Sequence, residues 1–364
     1  MKSGGTGCVI GAMLLLSAIS VIEDMSADET FDTTLYVDDD NTIGPWDGSM
    51  EHPYRYIQHA VENASDGDTI YVYQGTYREN VWIEKSITLT GEDNENTIID
   101  GHRSGNAVDC LADEIIISGF TLTNGYGHDF FGGGGIKLTD TENCMVQGNI
   151  ITGNDLFGVC ITSSNSSSYA IIANNTITKN GNWMYGGFNI WLYQSSHNTI
   201  ANNTITDGNG YGIGLCYWST HSIVKGNTIT DNKYDGIKGR FVYNNEVYDN
   251  ILRNNRWGIG WYNHSEENHV YSNSIETNER YGIFLYDESK NNLFEQNTFI
   301  DNGENDAFFY LKNIGSNNQW KHNYWSKARI LPKIILGRIM LDAETSIPWI
   351  NLDWNPAREP YDIG

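Results

Sequence analysis

Lys238 and Arg240 stand two positions apart, Asp235 precedes them on the same short stretch, and Tyr262 follows Arg240 by 22 residues. Taking the C5 proton from a uronic acid requires a cation to neutralise the sugar carboxylate and a base to accept the proton. Arg240 suits the first task. Lys238 or Tyr262 suits the second if its pKa is lowered. Asp235 precedes the strand of Lys238 and Arg240, at the edge of any groove they line. The same residues also spell a plain salt bridge of Lys238 or Arg240 with Asp235, and composition does not separate the two readings.

Such residues act together only if the fold brings them together, and the chain supplies a period that does so. Asn149, Asn175, Asn203, Asn227, Asn250, Asn273, Asn297 and Asn323 recur at gaps of 26, 28, 24, 23, 23, 24 and 26 residues. Two positions after each comes Ile151, Ile177, Ile205, Ile229, Leu252, Ile275, Phe299 or Trp325, and five positions after most of them a second polar residue such as Asn154, Asn180 or Asn232. Another apolar column, Ile136, Val159, Ile190, Ile213, Ile237, Ile259, Ile283 and Ala307, leads each unit. Short alternating β-branched runs punctuated by Asn and Gly exclude helical repeats, and a unit of about 24 residues is too short for a propeller blade. The expected fold is all-β, a single-stranded parallel β-helix of three parallel sheets and about ten coils, right-handed by the crossover rule for parallel strands. Each Asn would sit at a coil corner, tolerate left-handed backbone angles and bond its counterpart one coil away.

Alternation along the strands then places two outward columns side by side. One reads Lys137, Cys160, Trp191, Gly214, Lys238, Gly260, Phe284, Phe308; the other reads Thr139, Thr162, Tyr193, Cys216, Arg240, Tyr262, Tyr286, Tyr310. An aromatic stripe of this length is either covered or used. If open, Trp191, Tyr193, Phe284, Tyr286 and Tyr310 would hold sugar rings, with shallow gaps over Gly214 and Gly260, while Lys238, Arg240, Tyr262 and Asp235 carried the chemistry. If covered by the tail, the stripe is ordinary buried surface. A hydrolase needs two carboxylates across one groove; Asp235 and Asp287, two coils apart, are the only acids placed there, so lyase or epimerase chemistry is preferred.

The stretches LYVDDDNTIGPWDG from Leu35, HPYRYIQHAVENASDGDTIYVYQGTYRENV from His52 and SITLTGEDNENTIIDG from Ser86, with the repeats, resemble right-handed parallel β-helix proteins of the pectin-lyase-like superfamily, and among them the secreted NosD-like type common in archaea. The resemblance covers about residues 34–326. It implies a short helix over residues 56–64 closing the first coil, in agreement with the apolar spacing of Ile57, Ala60, Val61 and Ala64. It also implies the right hand of the coil. Residues 34–79 form the N-terminal cap and first coil, 80–326 the repeats, and 327–364 a C-terminal cap. Copper-site maturation, which NosD suggests, finds only His197 and His221, without Cys or Met partners.

The chain has 364 residues with 22 Lys and Arg against 46 Asp and Glu, a formal charge of −24, which repels nucleic-acid backbones. Residues 1–27 read as a secretory signal peptide or an N-terminal anchor, so an extracellular or cell-surface location is expected. Cys110, Cys144, Cys160 and Cys216 lack any disulfide framework and are expected to be buried thiols. No cofactor is expected. Calcium suits the acidic surface, but no motif calls for it, since Asp38-Asp39-Asp40-Asn41 lacks the EF-hand spacing. N-x-S/T sequons stand at Asn63, Asn165, Asn174, Asn202 and Asn263; Asn174 and Asn202 adjoin the corner column and are expected to be inaccessible. The expected partner is a polysaccharide or surface glycan. The alternative is a non-catalytic surface shaft that self-associates or meets a cell-envelope partner through its tail.

Overall fold

The structure, a computed structural model, describes residues 33–363 apart from 128–131, 182–186, 313–314 and 343, with the backbone alone at 165–167. The signal or anchor expected at residues 1–27 lies outside the described residues.

Three parallel stacks of short strands wind into a β-helix. The first stack runs from Val81–Ile83 to Lys333–Met340, the second from Thr34–Val37 to Ser346–Asp353, and the third, of 11 strands, from Gly75–Tyr77 to Tyr324–Trp325. The first two stacks count as one 24-stranded sheet because the last strand of each pairs antiparallel with the other in a C-terminal hairpin. The registers place Ile136, Val159, Ile190, Ile213, Ile237, Ile259, Ile283 and Ala307 directly over one another. The column from Ile151 to Trp325 does the same in the third stack. All of these side chains are buried, and each one larger than Ala307 contributes roughly 1.5–3 kcal/mol.

The asparagine column is a hydrogen-bonded ladder. From Asn149 to Asn297, every backbone N–H and Nδ2 donates to the Oδ1 of the next coil's Asn, as in Asn250 to Asn273 at 3.1 and 2.9 Å. The ladder stops at Asn323, which donates to the carboxylate of Asp353 at 2.9 and 3.2 Å; an acceptor-only group ends a file of donors. The left-handed residue is not the column Asn but the one before it: Gly148, Asn174, Asn202, Gly226, Asp249, Ser272, Gln296 and His322 all have positive φ. That residue turns the chain outward, which lets the following Asn point in. It also leaves Asn174 and Asn202 exposed, so the expectation that these two sequons are hidden is corrected.

The second polar column forms a ladder too, with a substitution. Where Gly208 offers no side chain, Asn189 reaches in from the first stack, accepting from Asn180 Nδ2 and donating to Asn232 Oδ1, both at 3.0 Å. A Cβ on Gly208 would lie 2.7 Å from Asn189 Nδ2. A third ladder, Asn198, Ser222, Asn245, Asn268, Asn292 and Asn318, follows the second stack.

The helix spans Ile57–Asn63. Seven residues are too few to hold a helix alone, and two charged side chains secure its ends. The Glu79 carboxylate accepts from the N–H groups of Ile57 and Gln58 at 2.9 Å each. Lys85 Nζ donates to the carbonyls of Val61, Glu62 and Ala64. At the other end Lys333–Met340 pairs parallel with Asn305–Leu311, so the tail extends the first stack rather than lying over its face. Cys110, Cys144, Cys160 and Cys216, the cysteines among the described residues, are buried and form no disulfide. Among the described residues no helix is long and apolar enough to cross a membrane.

Candidate active site on the first stack

The outward columns stand as the alternation requires: Lys238 pairs in register with Gly260, and Arg240 with Tyr262. A further outward column precedes them: Phe157, Phe188 and Tyr211, then Asp235, Trp257, Tyr281 and Asn305. These residues lie two before the inward Ile column, so simple alternation assigns them to the interior. A corner intervenes at Gly158, Gly212, Gly236, Gly258 and Gly282, where a Cβ would press on core side chains and the next coil's carbonyl; it reverses the direction of the residue before. Asp235 is therefore a full member of the outer face and not merely its edge.

No gaps lie over the two glycines. The Phe188 ring occupies the place of a Gly214 side chain, where a Cβ would meet it at 2.4 Å. Over Gly260 lie Asp235 Oδ2 and the Tyr262 hydroxyl, at 2.4 and 2.7 Å from the same kind of Cβ. Tyr262 thus turns back along its strand toward Asp235 rather than toward Arg240.

Asp235 is 0% exposed, and neither carboxylate oxygen makes a well-formed hydrogen bond. Burial pushes its pKa up to about 7, against the opposing pull of Lys238, the nearby Tyr262 hydroxyl and Arg256. Among the described residues neither Lys238 nor Arg240 forms a salt bridge with it. Lys238 instead sets its ammonium 3.9 Å from the centre of the Tyr211 ring. Arg240 donates from Nη1 to the Tyr217 hydroxyl at 2.9 Å and lies over the Tyr217 and Phe241 rings. The Tyr262 phenol is pushed well above its ordinary pKa by burial and by the Asp235 charge. That is the opposite of what an unaided base requires and keeps the Tyr262 hydroxyl protonated.

Four buried polar atoms on this face lack a hydrogen bond of good geometry: both Asp235 oxygens, Arg240 Nε and Trp257 Nε1. Native interiors leave few such atoms unpaired, so each calls for an explanation.

The aromatic residues divide into two groups. Trp191 is 3% exposed, stacked on Phe188 at 5.1 Å and packed with Phe157, Cys160 and Cys216 in a buried cluster, with Tyr193 against it. Trp191 therefore offers no open ring face. Past Asp235 the face opens. Tyr286 is 36% exposed and stacks on Tyr310 at 5.9 Å, while Phe284, Phe308 and Tyr281 are half-buried and mutually stacked. Arg256 and Arg280 lie over the Trp257 ring at 4.5 and 5.7 Å. The sequence reading missed the Trp257 and Tyr281 column and its arginines. The glycine immediately before the inward Ile or Val of these coils was the signal that could have found them.

The right-handed β-helix region model matches residues 57–229, 106–273 and 219–330. The chain belongs to the right-handed β-helix family. The match supplies the hand of the coil. Among solved structures the β-helix is similar to the A-module of mannuronan C-5 epimerase AlgE6 from Azotobacter vinelandii, with a TM-score of 0.54 and 15% identity over 73% of this chain and 87% of that one. It is also similar to XylC in complex with xylose, with a TM-score of 0.59 and 13% identity over 84% and 71%. Pectate lyase Pel9A matches with a TM-score of 0.51 and 13% identity over 81% and 80%. At such identities the likeness is one of fold. An uncharacterized protein of Bacillus subtilis (strain 168), YwoF, is 36% identical over 67 residues, 17% of this chain, and the match spans 14% of that relative's length.

His197 and His221 stack at 5.1 Å on successive left-handed corners. Among the described residues no group of three or more His, Cys, Asp or Glu side chains is placed to hold a metal.

Proposed function

We propose that this β-helix binds an extended acidic polysaccharide across the open half of its first stack and transfers protons to or from it at Asp235 and Tyr262. The observation that carries the reading is the set of buried polar atoms on Asp235, Arg240 and Trp257 that lack a hydrogen bond of good geometry, lying where Lys238, Arg240, Arg256 and Arg280 collect on one face of a chain whose net charge is −24. A cationic, aromatic strip in an otherwise acidic molecule favours a ligand with sugar faces and carboxylates. Arg240 neutralises the uronate carboxylate. Tyr262 takes the C5 proton as it passes its own to the Asp235 carboxylate, whose pKa of about 7 lets it accept at neutral pH, and the pair then returns a proton to C5 or to the departing oxygen. This fits lyase or epimerase chemistry on a uronate better than hydrolysis. Residues 1–27 accord with an exported protein meeting such a polymer outside the cell. Polysaccharide-acting proteins among its structural neighbours accord with the reading.

The test is a panel of polyuronates and neutral glycans, following binding, new unsaturated ends and C5 inversion. Tight binding of polyuronates, lost about tenfold in Arg240→Ala, with turnover lost in Tyr262→Phe while binding persists, is the expected result. Equal binding of neutral and acidic chains, or no binding at all, removes the proposal.

A further inference from the structure

Eight of the 18 exposed large apolar side chains among the described residues lie between positions 330 and 354, in a C-terminal segment that is a small fraction of the chain. Ile330 and Leu331 are 86% and 76% exposed, and Trp354 is 69% exposed. In the hairpin, Leu336 and Ile350 are register partners, as are Ile334 and Leu352. Three of these four side chains, Ile334, Leu336 and Ile350, are more than half exposed. Beside them a hollow of about 430 Å³ is lined by Phe308, Leu336, Arg338, Pro348, Trp349 and Ile350.

The charge of this end differs from that of the rest. Residues 327–364 carry five basic side chains (Lys327, Arg329, Lys333, Arg338, Arg358) and five acidic ones (Asp342, Glu344, Asp353, Glu359, Asp362), a sum of zero. The whole net charge of −24 therefore resides in residues 1–326. Two copies of so acidic a chain repel one another wherever their bodies meet. The C-terminal cap, with no net charge, is an end at which they approach without opposing fields.

We infer that the C-terminal cap is a self-association surface through which two copies of this chain join end to end. A two-fold contact requires one patch to complement itself. This cap carries both halves of such a fit, protruding Ile330, Leu331 and Trp354 and an open apolar hollow. An anionic bilayer is the rival occupant, and it draws a patch with excess positive charge; a cap of zero net charge on a −24 body supplies none. Pro348 lies in the outermost strand, Ser346–Asp353, and lacks a backbone donor, so the contact is made by side chains rather than by a continued ladder. The cap continues the first stack beyond Phe308 and Tyr310, whose register partners are Leu336 and Arg338, but the inference rests on the cap's own side chains and does not depend on the reading of the Asp235 site.

Sedimentation velocity of the full chain over a range of concentrations tests it, with Leu336→Lys, Ile350→Lys and, as a control at the opposite end, Ile43→Lys. Ile43 is 85% exposed, and melting curves confirm that all three variants fold. The expected result is a reversible dimer that weakens on the order of tenfold or more in the two cap variants and not in Ile43→Lys. It should tighten as salt is raised, because the acidic bodies are then screened. A monomer at every concentration overturns the inference. So does a dimer that survives both cap substitutions, or one that dissociates with added salt. Flotation with vesicles of phosphatidylcholine and phosphatidylserine completes the test. A monomer whose vesicle binding is lost in the cap variants assigns the patch to a membrane and overturns the inference.

Discussion

Two halves of one face share the same columns and register but differ in state. Between Phe157 and Cys216 the outward side chains Phe157, Cys160, Phe188, Trp191 and Cys216 are all at or below 9% exposure. Between Trp257 and Tyr310 the equivalent positions, Gly260 apart, are half-buried or exposed. The closed half resembles a second core placed outside the coil. The open half keeps ring faces and guanidinium groups within reach of solvent. Asp235, Lys238 and Arg240 lie at the seam. A buried carboxylate is tolerable there because cations flank it and one neighbouring coil supplies the Gly260 notch that its oxygen occupies. Outward position alone therefore does not make a binding surface; the size of the side chains in the neighbouring column decides whether the rings close over one another.

The largest test of this division is stability. Trp191→Ala should cost about 3–5 kcal/mol, the range for removing a large buried aromatic, whereas Tyr286→Ala should stay within about 1 kcal/mol. Denaturant melts of the two variants measure the difference. Equal costs would mean that the closed half is not a core or that the open half is covered.

The second test uses charge. Asp235 holds its proton more tightly in the folded chain, with a pKa of about 7 against 3.8. The folded state therefore binds more protons than the unfolded one between those values, and stability falls as pH rises through that window. The contribution is fully present below about pH 4 and lost above about pH 7. About three pKa units correspond to roughly 4 kcal/mol at most. Asp235→Asn should remove this dependence and leave the variant more stable than the parent at pH 8. The closed half has no such group: burial raises the pKa of its thiols, that of Cys216 to about 11 and that of Cys160 beyond, so both stay neutral across the same range. A pH profile unchanged by Asp235→Asn would show that the carboxyl is hydrated and not buried.

The coil was legible in the sequence because its letters repeat. Each residue of the Asn149 and Ile151 columns lands on its counterpart. The third ladder was not legible, because it changes letter from Asn198 to Ser222 and back to Asn245, and a hydroxyl does the work of an amide. Asn189 standing in for Gly208 was equally hidden, since the two residues come from different stacks. At the site, Lys238, Arg240 and Tyr262 were placed on the right face by alternation alone. The position of Asp235 within that face depended on the glycine corner, which breaks alternation. The closure over Trp191 depended on the size of Phe188 one coil away, and no single strand carries that information.

The smallest test compares two glycines in one column. Gly214 and Gly260 both have ordinary backbone angles, so an alanine at either is limited only by what it meets. At Gly214 it meets the Phe188 ring at 2.4 and 2.5 Å, and that ring is held between Trp191 at 5.1 Å and Tyr211 at 4.9 Å. With nowhere to move, the closed cluster should lose about 1–3 kcal/mol, the usual cost of overpacking. At Gly260 the alanine meets Asp235 Oδ2 and the end of the Tyr262 side chain. Tyr262 borders the open half and can swing away, so the cost should be nearer about 1 kcal/mol. The swing separates the Tyr262 hydroxyl from Asp235. Gly260→Ala should therefore stay folded and keep its polyuronate binding while losing turnover, and Gly214→Ala should lose stability with turnover per folded molecule intact. If the two substitutions exchanged these effects, the seam would be structural and the proton-transfer pair would have to be sought elsewhere on the open face.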